Sequence, residues 1–188
     1  MAPMRQGNLY VTAFFSGDFR RKNGGVLRLD AASNYHETTC VLDGMGAGNG
    51  ISFSPEWDIL WVADSTYQQI YRIILDESGR APLARVFGVF SISMPWGRWH
   101  PDSNKVDSGG NLYQAMMHAG WILILNRDGI PVGNVLVPQR EEQNLLNTPN
   151  LAIQPGSSEA YMVASDSNDT VVLTFPTLAP GQMLYSHM

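Results

Sequence analysis

With 188 residues, 44% of them hydrophobic, the chain carries enough apolar side chain to bury the core of one domain. Seventeen acidic residues against twelve basic ones, a formal charge of −5, exclude the clustered positive surface that nucleic acid requires. No apolar run nears the roughly 18 residues of a membrane span and no signal-like segment is present, so neither membrane nor secretion is expected.

Taken in chain order, the predicted elements are strands. Gly7-Asn8-Leu9-Tyr10 opens the first, followed by a turn at Asn23-Gly24-Gly25 and a second apolar run at Val26-Leu27-Arg28-Leu29-Asp30. Cys40 lies in a strand-like Thr-Thr-Cys-Val-Leu run and is read as a small buried hydrophobe. A lone cysteine excludes an intrachain disulfide and suits the reducing cytoplasm. Next come Asn49-Gly50-Ile51-Ser52-Phe53-Ser54-Pro55, Ile59 to Asp64 and Ile70-Tyr71-Arg72-Ile73, with a turn at Asp76 to Gly79. The Gly-Asn-Leu-Tyr run returns unchanged at Gly110 to Tyr113, preceded by the turn Ser108 to Asn111 and followed by Trp121 to Leu125 and the turn Arg127-Asp128-Gly129. Gln139 to Leu146 has helical character, but its charge favours a solvated loop. Pro155 to Ser158, Ala160 to Ser165 and Val171-Val172-Leu173 close the series.

The order is periodic. The anchors Tyr10, Trp61, Tyr113 and Tyr161 lie 51, 52 and 48 positions apart. A polar residue, Asn49, Asp102 or Asn150, stands 12, 11 and 11 positions before the last three anchors. Four repeats follow, at about 7–48, 49–93, 94–146 and 147–188, the first entering one strand late. Three or four short strands at this period predict an all-β fold, a β-propeller of about four blades in an incomplete ring. A β-sandwich is the second choice, but it does not account for the repeat.

In a propeller the first strand of each blade lines the channel, so Asn49 and Asp102 converge at its mouth. Their oxygens suit a hard cation, Ca²⁺ or Mg²⁺. Both residue types also cap turns before strands, which is the alternative on spacing alone. Around them, His100, His118, Trp96 and Trp99 are candidates for contacting substrate. His100 serves equally as a solvated loop residue, His118 falls in a hairpin turn, and the tryptophans serve as well in packing between blades. Asn150 is read as structural.

The run Asn49 to Pro55 with Leu60-Trp61-Val62-Ala63-Asp64 resembles the repeated segment of the SMP-30/gluconolactonase-like family of six-bladed propellers. His100-Pro101-Asp102-Ser103, Asp107, Asn111-Leu112-Tyr113 and Gly129 to Gly133 resemble its drug-responsive lactonase branch more closely. The resemblance implies a divalent cation, usually Ca²⁺, at the channel mouth, with Asn49, Asp102 and Ser103 among its ligands. It also implies lactone or ester ring opening by metal-activated water, with Asp102 as proton donor or acceptor. The family's N-terminal Glu and first Asn have no counterpart here, and Ala13 stands where many relatives carry Asp. The other reading of function is a propeller-derived binding or assembly module without catalysis. Four blades of a six-bladed ring leave blade faces uncovered. The chain is therefore expected either to be the C-terminal portion of a longer lactonase-like protein or to associate with copies of itself.

Overall fold

The computed structural model describes residues 2–3, 7–14, 24–82, 86–91 and 99–183. Alternating apolar residues and Gly/Asn/Asp turns build four antiparallel meanders, each hydrogen-bonded in chain order. The first sheet holds β1 (Ala2–Pro3), β2 (Leu9–Phe14), β3 (Gly24–Leu29) and β4 (Thr38–Met45). The second holds β5 (Gly48–Phe53), β6 (Ile59–Asp64), β7 (Gln69–Ile74) and β8 (Val86–Ser91). The third holds β9 (His100–Val106), β10 (Leu112–Met117), β11 (Trp121–Leu125) and β12 (Pro131–Leu136). The fourth has β13 (Leu151–Ile153), β14 (Glu159–Ser165) and β15 (Thr170–Pro176). The innermost strand β9 lies between β5 and β13, so the sheets stand side by side as blades do.

Side-chain alternation decides which neighbour each residue meets, because successive residues of a strand face opposite sides of the sheet. In β6, Leu60 and Val62 join Tyr10, Val26 and Phe53 between the first two sheets, while Ile59 and Trp61 join Leu112, Met116 and Leu125 between the second and third. In β10, Tyr113 and Ala115 turn instead to Ala160, Met162 and Phe175 of the fourth sheet. Each anchor thus faces the next blade. Tyr10, Trp61 and Tyr113 are fully buried, whereas Tyr161, with no fifth sheet beyond it among the described residues, is half-buried.

Polar bonds repeat the same step. Arg28 Nη1 in β3 donates to Ser78 O at 2.6 Å, and Arg72 Nε at the equivalent place in β7 donates to Arg127 O at 2.8 Å. The receiving turns are built alike. Asp76 Oδ1 accepts from Ser78 N and Arg80 N, and Asn126 Oδ1 accepts from Asp128 N and Ile130 N. Gly79 and Gly129 take left-handed φ of 73° and 86°, which glycine adopts without steric cost. The Tyr10 hydroxyl donates to Gly79 O at 2.7 Å, and burial pushes its pKa up to about 12.

Three expectations need correction. The first sheet does have an inner strand, since Ala2 and Pro3 pair with Tyr10 and Leu9, although it is only two residues long. Gly24 and Gly25 open β3 rather than forming the hairpin turn, paired with Phe14 and Ala13. A Cβ on Gly24 would sit 3.0 Å from Gly46 O, so glycine eases a close backbone approach there. Cys40 is on a strand, β4, but exposed: β4 is an edge strand of its sheet. Burial and Asp43 nonetheless raise its thiol pKa, which leaves it a poor nucleophile. As expected, the segment 139–146 is a largely exposed loop, with one short 3₁₀ turn at Arg140–Glu142.

Beyond β15 the chain runs under the far ends of the inner strands. Ser108 N donates to Pro180 O at 2.7 Å, and Gln182 Nε2 donates to Phe53 O and Val106 O at 3.0 Å each. No helix among the described residues is long and apolar enough to cross a membrane.

Candidate functional site

Two β-bulges create the site. In β5 the pairing with β6 jumps from Gly48↔Asp64 to Ile51↔Val62, which leaves Asn49 and Gly50 opposite Ala63. In β9 the pairing with β10 jumps from Gln114↔Asn104 to Met116↔Pro101, which leaves Asp102 and Ser103 opposite Ala115. The bulges occupy equivalent places in successive blades. A bulge re-aims a side chain and frees backbone polar groups. Gln114, fully buried, satisfies those groups: its Nε2 donates to Asp102 O at 2.9 Å and to Ser103 O at 3.1 Å. Its Oε1 accepts from Asn104 Nδ2 at 3.2 Å, and Asn104 Oδ1 accepts from Ser52 Oγ at 2.8 Å. This polar ladder ties β9 to β5 just below the site.

Asn49 and Asp102 meet across the two strands, the Asn49 amide hydrogen-bonding to the Asp102 carboxylate. Ser65 fastens the pair: its Oγ accepts from Asn49 Nδ2 at 3.3 Å and donates to Pro101 O at 2.7 Å. Thr12 of the first sheet donates to Asn49 O at 3.0 Å. Burial pushes the Asp102 carboxyl above the ordinary carboxylate range. The Asn49 bond, the charge of His100, the Ser103 N–H and the charge of His118 offset that only in part.

The other predicted residues fall as follows. Ser103 is next to Asp102 in the bulge, its N–H also reaching Pro149 O at 3.2 Å. His100 and His118 stand edge to face, ring centroids 5.5 Å apart, on the same end of β9 and β10 as Asp102. Trp99 is 9% exposed and lies in the core between the second and third sheets, edge-on to Trp121 at 6.3 Å. Trp96 lies outside the described residues. Asn150 precedes β13, with its Oδ1 accepting from Leu151 N at 2.8 Å.

Sequence reasoning missed Ser65, Gln114 and Asn104. A signal existed: Gln114 interrupts the apolar run Leu-Tyr-Gln-Ala-Met-Met of β10, and a buried amide in a strand implies partners that need it.

The donors of Asn49, Asp102 and Ser103 are hard oxygens, and the Asp102 carboxyl is desolvated with partial compensation only. A divalent cation fits that imbalance, because an added positive charge favours the ionised carboxylate. Among the described residues, no cluster of three or more His, Cys, Asp or Glu side chains surrounds it. Such a site offers one carboxylate, two amide or hydroxyl donors and open positions.

Side-by-side antiparallel meanders of three or four strands, with a carboxylate–amide pair in twin bulges at one end of the inner strands, define a propeller-type protein. The chain matches the SMP-30/gluconolactonase/LRE-like region family over residues 1–174 and belongs to that family. It is 30% identical over 164 residues to lactonase drp35 of Staphylococcus epidermidis, covering 86% of this chain and 48% of that one. With lactonase drp35 of Staphylococcus haemolyticus it shares 29% over 188 residues, covering 96% and 55%. The chain therefore spans about half the length of these curated relatives. Its fold is that of regucalcin from Agrobacterium tumefaciens, a calcium-binding protein, with a TM-score of 0.73 at 16% identity, covering 96% of this chain and 61% of that one.

Proposed function

We propose that this chain is a hydrolase that opens lactones or related small esters with a divalent cation, Ca²⁺ first, held by Asn49, Asp102 and Ser103. The observation that carries the reading is the desolvated Asp102 carboxyl joined to Asn49 in matching bulges. A bound cation supplies a Lewis acid for the ester carbonyl. Asp102 serves as the proton donor or acceptor, its burial opposing the lowering of its carboxyl pKa that a bound cation brings. His100 and His118 contact the substrate at the mouth. The lactonase relatives and the calcium-binding structural neighbour support the same reading.

Calorimetric titration with Ca²⁺ and an assay on simple lactones test this. Weak binding is expected, a Kd on the order of 10⁻⁴–10⁻³ M for so few ligands. Metal-stimulated turnover should fall about a hundredfold or more in Asp102→Ala. No binding at millimolar Ca²⁺ would overturn the proposal in favour of a non-catalytic propeller module.

We also propose a cytoplasmic homo-oligomer. Val172 and Leu178, 66% and 62% exposed on and just after the outer strand of the fourth sheet, are the apolar surface to be covered. Light scattering is expected to give a mass above 20.8 kDa, and a clean monomer would refute the association.

A further inference from the structure

The β10–β11 turn holds an exposed histidine in a strained and fastened conformation. His118 has φ of 63°, a left-handed backbone that costs a non-glycine residue about 1 kcal/mol or more. Neighbouring chain clamps the turn: Gly120 N donates to Leu146 O at 2.8 Å, and Arg140 Nε donates to Ala119 O at 2.7 Å. The segment that supplies Leu146 also supplies Asn147, whose Oδ1 lies 2.7 Å from His118 Nδ1. Asn147 is itself fixed to the fourth sheet by paired backbone bonds with Ser165, at 3.0 and 2.9 Å.

With the Asn147 amide turned so that its oxygen faces the ring, Nδ1 carries the proton. Which ring nitrogen is protonated follows from the hydrogen bond made by the other. We infer that Asn147 is a positioning residue: it holds neutral His118 as the Nδ1–H tautomer, the opposite of the form a free imidazole side chain favours. Nε2 then keeps its lone pair and is a hydrogen-bond acceptor on a ring that packs edge to face with His100. Its partner is an O–H donor entering the mouth, either a substrate hydroxyl or the attacking water. The strain at His118 and the clamp on its turn serve to aim that acceptor. This rests on the hydrolase reading for its use, but not for its structure.

The test is ¹⁵N NMR of the histidine rings at a pH where they are neutral, combined with lactone kinetics. In the wild-type chain, His118 should show a protonated Nδ1 and an unprotonated Nε2. Asn147→Ala should return it to the Nε2–H form, while Asn147→Asp, which also accepts, should restore the wild-type pattern. A wild-type Nε2–H ring, or a ring unmoved by Asn147→Ala, overturns the inference whether or not the protein turns over lactones. With turnover, Asn147→Ala should lower kcat/KM about tenfold, the worth of one well-placed hydrogen bond. A loss in KM assigns the donor to the substrate, and a loss in kcat assigns it to water. Unchanged kinetics with a changed tautomer would refute the acceptor role.

Discussion

Replacing Gly50 with alanine is expected to destabilise the fold by about 2–3 kcal/mol and to separate Asn49 from Asp102. A Cβ at Gly50 would lie 2.5 Å from Asp102 O and 2.7 Å from Asn104 N. Both are backbone atoms of β9, so no side chain can swing away to make room. The only relief is to push β5 from β9, and that displacement opens the Asn49–Asp102 bond and the Ser52–Asn104 bond together. Gly88→Ala in β8 is the matched control, since nothing lies within 4 Å of a Cβ there. It should change stability by no more than about 0.5 kcal/mol. Denaturant midpoints of the two variants decide the matter. Equal midpoints would show that the inner strands are not in contact at Gly50.

The contrast between these glycines bears on what was legible beforehand. The repeat placed the anchors correctly, because burial between blades demands a large apolar residue at one phase of one strand, and that demand recurs with the blade. Tyr10, Trp61 and Tyr113 sit at equivalent points of β2, β6 and β10, all fully buried. The convergence of Asn49 and Asp102 was legible for the same reason. What escaped was everything that depends on irregular pairing. A bulge adds one residue without changing the spacing between repeats when successive blades share it, so a period near 50 cannot reveal it. The polar ladder Ser52–Asn104–Gln114 spans two blades, and its one local mark is Gln114, a polar residue inside the apolar run of β10.

Edge effects account for other differences. Thr-Thr-Cys-Val-Leu has the composition of a buried strand, yet β4 is the outermost of its sheet and Cys40 is exposed. Composition reports strand propensity, not distance from the axis. The inter-blade arginines lay in plain view, since Arg28 and Arg72 hold the same place in the runs Val-Leu-Arg-Leu and Ile-Tyr-Arg-Ile. Their meaning needed the receiving turns Asp76 to Arg80 and Asn126 to Ile130, each one blade further on.

Asp102→Asn should abolish turnover and at the same time stabilise the metal-free protein. Burial raises the folded-state pKa of Asp102 above its unfolded value. A carboxyl shifted that way favours the folded state in its neutral form, so stability is fully present below the unfolded pKa and is lost as pH rises through the folded one. At neutral pH the wild-type chain carries that cost, and asparagine, neutral at every pH, does not. Because Asp102 is only half-buried, solvent screening keeps the effect small, a rise in Tm of roughly 1–2 °C. The introduced amide oxygen would still accept from Asn49, which preserves the cross-strand bond. The difference between variant and wild type should vanish in acid, below the ordinary carboxylate range, where Asp102 is protonated in both states. Adding Ca²⁺ should reverse the order at neutral pH: binding raises the Tm of the wild-type chain and leaves the variant unchanged. Melting curves in chelator and in millimolar Ca²⁺, at neutral and acid pH, give all four comparisons. A variant that melts below the wild type in chelator at neutral pH would show that Asp102 is stabilising where it stands. The carboxylate would then be a structural partner of Asn49 rather than a group held at a cost for the chemistry of the mouth.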